Sequence, residues 1–261
     1  MVVSLAVTHQ LWKNAHYEAV RELQYDFNFR LLDASNRIEQ RMQSYEQALR
    51  GVQGLFAASI NVERDEFHAY IVAQHIVESF PGIQGVGFSL IVPAVQQQDK
   101  HTATTHEEGI PAYTISPYGQ QDTTTSIIFI EPLSEGNRRT FGYDMYSDPV
   151  RRVAMEQARD NNTAVITGKT KLIQENSKSA QAGFLMYLPI YKNGAPYATL
   201  AQRRANIIGW VCALFRMNDL MRGILGARAP DFDIKLFDGE ELSSKTLMHD
   251  ADSTNKVSVK I

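Results

Sequence analysis

The sequence LQYDFNFRLLDASNRIEQRMQSYEQALRGVQGLF at residues 23–56 determines how the fold begins, because it contains no proline and its glycines come only at the end. Gln, Glu, Arg, Ala and Leu dominate it, and all five are good helix formers. Its larger apolar residues recur at steps of three or four, which places them on one helix face. They are Leu23, Phe27, Leu31, Ala34, Ile38, Met42, Tyr45, Leu49, Val52 and Phe56. Since proline is absent back to residue 9, we expect one helix roughly 70 Å long.

A helix of this length exceeds what a globular core needs, so it favours a stalk or a spine along which two copies pair. The alternative is an ordinary amphipathic helix that lies against the rest of the chain. Both interpretations hold if one end packs on a domain and the other end pairs with a second copy. The apolar spacing drifts from a strict heptad repeat, so we do not predict a regular coiled coil.

The rest of the chain alternates between helix and strand patterns, and the sum is an α+β fold. Helices are predicted at residues 61–80, 148–162 and 218–225, where Asp148 can cap the second of these and Pro149 suits its first turn. Strands are predicted at residues 83–92, 123–132, 163–168, 170–175, 183–192 and 207–215 and within 232–240. We expect a mixed antiparallel sheet domain and a smaller sheet domain near the C-terminus.

Composition excludes several classes of function. The 261 residues are 44% hydrophobic and 21% charged with a net charge of −3, and no Lys/Arg block indicates nucleic-acid binding. The single cysteine, Cys212, cannot form an intramolecular disulfide, and its apolar surroundings predict a buried thiol. The sequence contains no apolar run long enough for a membrane span and no signal peptide, so an exported domain would have its anchors outside it.

The sequence offers little for catalysis. His101 and His106 are five residues apart in a polar stretch, which matches no metal-binding spacing. No nucleophile elbow or phosphate loop is present. We therefore predict no catalytic residues, no metal, no cofactor and no enzymatic activity. Asp144 is interpreted as a residue that makes local hydrogen bonds before a helix, and Arg151 and Arg152 as part of a solvated helix face.

Longer sequence blocks carry a resemblance to a known family. In chain order they are GVQGLFAAS, ERDEFHAYI, FPGIQGVGFS, SIIFIEP, FGYDMYSDPVRRVAMEQARD, QAGFLMYLPIYK and GWVCALFRMNDLMRGIL. Their order and approximate spacing resemble bacterial CHASE domains, the ligand-sensing modules of membrane receptors related to the plant cytokinin receptors. The resemblance covers roughly residues 50–226 and, because so many blocks keep their order, it is specific.

The resemblance implies a long N-terminal helix followed by two PAS-like sheet domains. Residues 1–57 would form the stalk and dimerisation helix, residues 58–195 a larger membrane-distal ligand-binding domain, and residues 196–261 a smaller membrane-proximal domain. It also implies a periplasmic homodimer that pairs through the first helix and is flanked by transmembrane helices. The cytoplasmic output would be a histidine kinase or a diguanylate cyclase.

The resemblance further implies a small-molecule ligand, for which adenine-type compounds are the family's best-known example. Asp122 aligns with the aspartate that binds the adenine edge in plant receptors, although it can also be read as a turn residue. Thr124 and Lys171 lie where this sequence departs from the plant pattern, which argues against cytokinin itself. The other pocket candidates are Phe88, Tyr113, Phe129, Tyr143 and Met186. The alternative functions are a dimerisation or protein-interaction module without a ligand and, ranked last, an unrecognised enzyme.

Overall fold

The computed structural model describes residues 2–92, 115–116, 123–174, 181–226 and 234–251. The helices within them are α1 (Val2–Ala58), α2 (Arg64–Ala73), α3 (Ile76–Ser79), α4 (Glu135–Arg138), α5 (Pro149–Asn161), α6 (Leu200–Asn206) and α7 (Met217–Leu225), with a 3₁₀ turn at Met145–Ser147. The strands are β1 (Ile83–Val92), β2 (Thr124–Glu131), β3 (Val165–Ile166), β4 (Gly183–Tyr191), β5 (Ile207–Arg216), β6 (Lys235–Phe237) and β7 (Leu247–Asp250).

The predicted long helix is confirmed by α1. The chain divides into two compact units, one of residues up to Gln43 and one from Ser44 onward. In the first unit, side chains one helical turn apart form ion pairs, as Arg30 does with Asp26 at 2.9 Å. In the second unit, the apolar stripe of α1 is buried, and three of its members are fully inaccessible: Tyr45, Leu49 and Val52.

An antiparallel sheet of order β2-β1-β5-β4-β3 forms the centre of the second unit. β4 and β5 are almost continuously apolar because both of their faces are covered, and they pair along their full lengths. The predicted α+β class, with a long N-terminal helix and an antiparallel sheet, is confirmed. The division into two PAS-like domains stays a prediction.

Side chains of successive strand residues point to opposite faces of this sheet. We call one side the α1 face: Phe88, Phe129 and Phe215 contact aromatic rings of α1 and α2 there. We call the other side the α5 face. Its core packs sheet residues against α5 and the 3₁₀ turn, and includes Ile127, Met145, Met155, Tyr187, Trp210 and Cys212. The indole N–H of Trp210 donates to the Met155 carbonyl at 2.9 Å, which ties β5 to α5.

The expected domain boundary at residues 195/196 does not match the sheet. It separates β4 from β5, whereas the structure pairs Tyr187 with Cys212 and Leu185 with Leu214 across these two strands. β5 also pairs with β1, so it lies inside the five-stranded sheet and not in a separate domain. The boundary places the apolar run at residues 207–215 in the C-terminal domain, although its strand pairs with β1 and β4. Strand neighbours in a sheet need not be neighbours in sequence.

Two local predictions are also wrong. The helix expected at residues 61–80 is broken, because His75 adopts a left-handed conformation (φ 48°) that ends α2 before α3 begins. The strand expected at residues 170–175 is reduced, over its described residues, to one bridge between Thr170 and Gly183. The predicted end of this helical segment at residue 80 is confirmed, because Phe80 is the C-cap of α3. Gly82 then turns the chain with a φ of +93°, and a Cβ there would lie 2.6 Å from Leu220 Cα.

β6 and β7 form a separate antiparallel pair after α7. Lys235 Nζ donates to the Asp250 carboxylate at 2.7 Å across this pair. No helix in the part of the chain that the structure describes is both long and apolar enough to cross a bilayer.

Candidate functional site

α5 places a charged side chain in the core of the α5 face. The carboxylate of Asp148 accepts hydrogen bonds from the backbone N–H groups of Val150 and Arg151 at 2.9 and 3.2 Å. This is the predicted N-cap, with Pro149 in the first turn. The buried side of the helix is formed by Arg151, Ala154, Met155 and Ala158. As a result, Arg151 is only 2% exposed.

Three neighbours hold the Arg151 guanidinium. Nη2 donates to the Lys171 carbonyl oxygen at 2.9 Å, and Nη1 donates to Met145 Sδ at 3.0 Å. The guanidinium carbon also lies 5.1 Å from the centre of the Tyr143 ring, which is within cation–π range. Nε has no hydrogen-bond partner among the described residues, and Asp148 Oδ2, at 3.7 Å, is too distant to be one. The Nε–H group of the buried Arg151 is therefore a donor without an acceptor among the described residues.

Asp144 is a second buried charge on this face, with no measurable exposure. Its Oδ1 accepts hydrogen bonds from the Thr125 N–H at 2.9 Å, the Thr125 hydroxyl at 2.8 Å and the Tyr146 N–H at 3.1 Å. These bonds join β2 to the 3₁₀ turn and confirm the local role that the sequence predicts. Oδ2 has no partner within residues 2–92, 115–116, 123–174, 181–226 and 234–251.

Two polar groups close to Arg151 are neutral, whereas the Asp148 carboxylate forms an ion pair with its Nε at 3.7 Å. Burial raises the pKa of the Tyr187 hydroxyl well above its ordinary value of 10.0, although the Arg151 charge works in the opposite direction. Burial likewise raises the pKa of the Cys212 thiol to about 12, again against the Arg151 charge. The Tyr187 O–H lies 3.4 Å from Met145 Sδ and donates to it. At neutral pH both groups stay protonated, so Cys212 is an inert core thiol, as predicted.

Comparison with known proteins identifies the family. The model of the CHASE domain matches residues 60–249, which is most of the chain. This chain belongs to the CHASE domain family. CHASE is an extracytoplasmic sensor domain, so the chain has a sensory role, and the buried charges of the α5 face lie inside a sensor.

Solved structures and curated proteins add little about the ligand. The ligand-binding domain of the amino-acid chemoreceptor PctC of Pseudomonas aeruginosa PAO1, in complex with GABA, is similar at a TM-score of 0.40 and 12% identity. The match covers 78% of this CHASE chain and 65% of the chemoreceptor chain, which is less than two thirds of the latter. At that TM-score it carries no conclusion for this domain. No curated protein matches the sequence.

Half of the predicted ligand residues of this CHASE domain lie on the α1 face. They are Phe88, Thr124, Phe129 and Met186, and all are buried. The Phe88 ring lies 4.4 Å from the Phe56 ring of α1, and the Phe129 ring lies 5.3 Å from the Phe67 ring of α2. The structure therefore brings Phe88 and Phe129 together, with ring centres 6.1 Å apart, and places Thr124 and Met186 elsewhere on the same face. Their role in ligand binding stays a prediction.

Two other predicted residues meet at Arg151. The ring of Tyr143 packs on the guanidinium, and Lys171 supplies the carbonyl oxygen that accepts from Nη2. The Lys171 side chain itself is exposed and lines a separate cleft. Tyr113 and Asp122 lie outside the described residues, so the structure does not place them.

Arg151 is the residue that the sequence interpretation missed. Its expected place on a solvated helix face is wrong, because it is almost fully buried while Arg152 beside it is partly exposed. The signal was present in the spacing. Ala154, Met155 and Ala158 follow Arg151 by three, four and seven residues, so they place it on the apolar side of α5. The charge of the side chain concealed this pattern.

Proposed function

We propose that this CHASE domain is the periplasmic small-molecule sensor of a transmembrane signalling receptor. Transmembrane helices would flank the chain, and the cytoplasmic output would be a histidine kinase or a diguanylate cyclase. Membership of the CHASE family supports the sensory role. The buried Arg151 on the α5 face supports the binding of a small polar ligand inside the domain.

The spare donor of Arg151 is the observation that carries this proposal. A buried cation loses several kcal/mol of hydration, so it is retained when partners satisfy it or when function requires it. Here the Asp148 carboxylate forms an ion pair with Nε at 3.7 Å but lies beyond hydrogen-bond distance of it. Buried polar atoms without partners are rare in folded proteins, and perturbed charges concentrate at functional sites. A ligand acceptor at Nε would complete the hydrogen bonding of the guanidinium.

The ligand must therefore present a hydrogen-bond acceptor to Arg151. Purine-type compounds, including the adenine-like cytokinins, meet this condition because their ring nitrogens are acceptors. Their exocyclic amines would donate to a carboxylate, the role that we propose for Asp122. Small carboxylates meet the condition at Arg151 through a charge-assisted hydrogen bond. Purines are the first class to test, and carboxylates are the second.

A thermal-shift screen of the purified domain tests the proposal with purines, adenine derivatives and small carboxylates. A compound that binds only the native state raises its stability by about 2.7 kcal/mol at a hundredfold excess over Kd. We expect the Arg151→Met variant, which keeps an unbranched apolar chain but removes the guanidinium and its donors, to lose this response. Arg152→Met is the matched control, because it removes an adjacent, partly exposed charge from the same helix.

Two outcomes contradict this assignment. A compound that shifts the melt of wild type and Arg151→Met equally binds elsewhere and removes Arg151 from the site. If a well-folded domain responds to no compound of either class, the proposal of a purine or carboxylate sensor is withdrawn in favour of an interaction module. That module would set the geometry of a dimer without a small ligand.

We also propose that the receptor pairs as a homodimer along α1. The first unit exposes many large apolar side chains to solvent, and they include Leu5, Leu11, Trp12, Leu23, Phe29 and Leu32. A single helix gains little from exposing such residues, whereas a second copy would bury them. Sedimentation equilibrium should show a dimer that Leu11→Glu weakens. A chain that stays monomeric at every concentration reached would contradict the pairing.

A further inference from the structure

A cleft lies beside the small β6–β7 sheet, and the buried Arg151 side chain is not part of its lining. It has a volume of about 620 Å³ and opens to solvent. One wall is the segment at residues 169–171, another is the start of α7 at Asn218, and the third is β7 with His249 and Asp250. Most of these side chains are polar, so the cleft suits a polar occupant.

The charges around this cleft do not balance. The Lys171 ammonium has neither a hydrogen bond nor an ion pair with any residue that the structure describes. Lys169 Nζ donates only to the neutral Lys245 carbonyl oxygen, at 2.8 Å, among those same residues. The acid that lines the cleft, Asp250, is already paired with Lys235 at 2.7 Å. Positive charge therefore remains on one wall.

Within residues 2–92, 115–116, 123–174, 181–226 and 234–251, nearby groups do not cancel this excess. The Asp238 carboxylate accepts from the Lys169 backbone N–H at 2.7 Å, so it offsets at most one lysine charge. The His249 imidazole is neutral at neutral pH, because burial lowers its pKa below the ordinary value. Its Nδ1 lies 2.7 Å from Asn218 Oδ1, and this contact fixes the ring against the start of α7. The excess charge is that of Lys171.

Lys171 also connects the cleft with the α5 face. Its carbonyl oxygen accepts from Arg151 Nη2 at 2.9 Å, while its side chain lines the cleft. The preceding residue, Thr170, exchanges two backbone hydrogen bonds with Gly183 at the start of β4, at 2.9 and 3.1 Å. An occupant that holds the Lys171 side chain would thus stabilise the segment on which Arg151 rests.

We propose that this cleft is a second binding site and that it takes a small oxyanion, either a phosphate or a carboxylate, with the Lys171 ammonium as the main contact. The proposal is independent of the sensor site at Arg151, because it rests on different side chains. Its consequence is coupling: oxyanion binding favours the arrangement of residues 169–171 in which the Lys171 carbonyl accepts from Arg151.

Titration with inorganic phosphate at constant ionic strength, balanced with sodium chloride, tests the site by the melting temperature of the domain. Wild type and the Lys192→Gln control, which removes an exposed lysine outside the cleft, should respond alike. Lys171→Gln should need roughly tenfold more phosphate for the same shift, because a hydrogen bond to a charged group is lost. Lys171→Glu should abolish the response.

Equal responses of wild type and Lys171→Glu would overturn the proposal, as would a wild-type response that sodium chloride alone reproduces. A second arm distinguishes the source of the oxyanion, by co-sedimentation of the domain with phosphatidylglycerol vesicles. Binding to vesicles that depends on Lys171, without a response to free phosphate, would assign the cleft to a lipid headgroup. Because the readout uses phosphate, its result is separate from the screen of Arg151.

Discussion

The two faces of the five-stranded sheet bury charge in different ways. On the α1 face, the buried Glu131 lies at the end of β2, and its carboxylate is 3.1 Å from Nδ1 of His68 on α2. On the α5 face, Arg151 and Asp144 are buried, and each keeps one polar atom without a partner among the described residues. Glu131 thus lies on β2, the edge strand of the sheet, and its carboxylate has a side-chain partner. Arg151 and Asp144 lie in the core of the α5 face, and each has one polar atom without a described partner.

This difference is consistent with a structural role for the α1 face and the proposed ligand-binding role of the α5 face. Aromatic ring contacts join the α1 face to the helices, and such contacts stabilise a fixed geometry. On the α5 face, the charged atoms without described partners are the basis of the proposed recognition of a polar ligand. One buried serine hydroxyl also lacks a described partner on each face, Ser126 and Ser89, so the contrast rests on the charges.

Among the variants that test the difference between the two faces, we expect the largest effect from Phe129→Ala on the α1 face. Phe129 is 8% exposed and packs between the rings of Phe67 and Phe88 at 5.3 and 6.1 Å. Truncation leaves a cavity, so we expect a loss of about 3–5 kcal/mol in the free energy of unfolding, measured by urea denaturation. Phe129→Leu keeps most of the volume and should cost less than about 1.5 kcal/mol.

The leucine variant also tests the ligand role that the sequence predicts for Phe129. If the α1 face is structural, Phe129→Leu keeps the ligand response while Arg151→Met loses it. A stable Phe129→Leu domain that no longer responds would place the ligand on the α1 face and break the comparison.

A smaller effect is expected from Asp144→Ala on the α5 face. This change leaves the N–H and hydroxyl of Thr125 and the N–H of Tyr146 without their acceptor. We expect a loss of about 2–4 kcal/mol in the free energy of unfolding, again by urea denaturation. Asp144→Asn should lose only about 1 kcal/mol, because an amide oxygen can still accept these bonds.

The asparagine variant shows whether the negative charge of Asp144 matters. If Asp144→Asn destabilises the domain as much as Asp144→Ala, the charge itself stabilises the fold, and a role for Oδ2 toward a ligand is unsupported. If the fold is retained but the ligand response is lost, Oδ2 takes part in recognition.

Much of this fold follows from local sequence patterns. The helix signals of α1 and α5 are strong because each helix buries one face at a periodic spacing. The apolar runs of β1, β4 and β5 are strong because residues on both faces of these strands are buried. The position of β5 at the centre of the sheet could not be predicted in the same way. It depends on pairing with β1 across more than a hundred residues of chain, and apolar periodicity carries no information about which strands pair.

The candidate site was less predictable than the fold. Tyr143 was predicted because aromatic strand residues often line pockets, and it does contact the buried cation. Arg151 was not predicted as a site residue, because an arginine is normally on the surface. Only the apolar positions that follow it indicate that it is buried. At Arg151, Lys171 contributes its backbone carbonyl and not its side chain, and a reading of side chains cannot identify such a contact.

The smallest effect concerns the edge of the α5 face, where the end of α5 is held by charge. The Asp160 carboxylate accepts from Arg204 Nη2 at 2.6 Å and from Arg159 Nε at 2.7 Å. The hydrogen bonds from Arg204, followed by those from Arg159, hold the pKa of Asp160 well below its usual range, although partial burial opposes this shift. Arg204 lies on α6, so the contact fastens α5 to that helix.

The sign of the pH dependence follows from this depressed pKa. Since the folded pKa lies below the unfolded value of about 3.9, the contribution of Asp160 is complete above that value and is lost as the pH falls toward the folded pKa. Asp160→Asn has no such contribution to lose. We therefore expect wild type to melt about 2 °C above Asp160→Asn at pH 7, with the difference shrinking as the pH falls below about 3.9. Fluorescence of Trp210 in a Trp12→Phe background reports the α5 face directly, because Trp210 donates to Met155 of α5. A difference that persists unchanged in acid would mean that packing, and not charge, holds this edge of the α5 face.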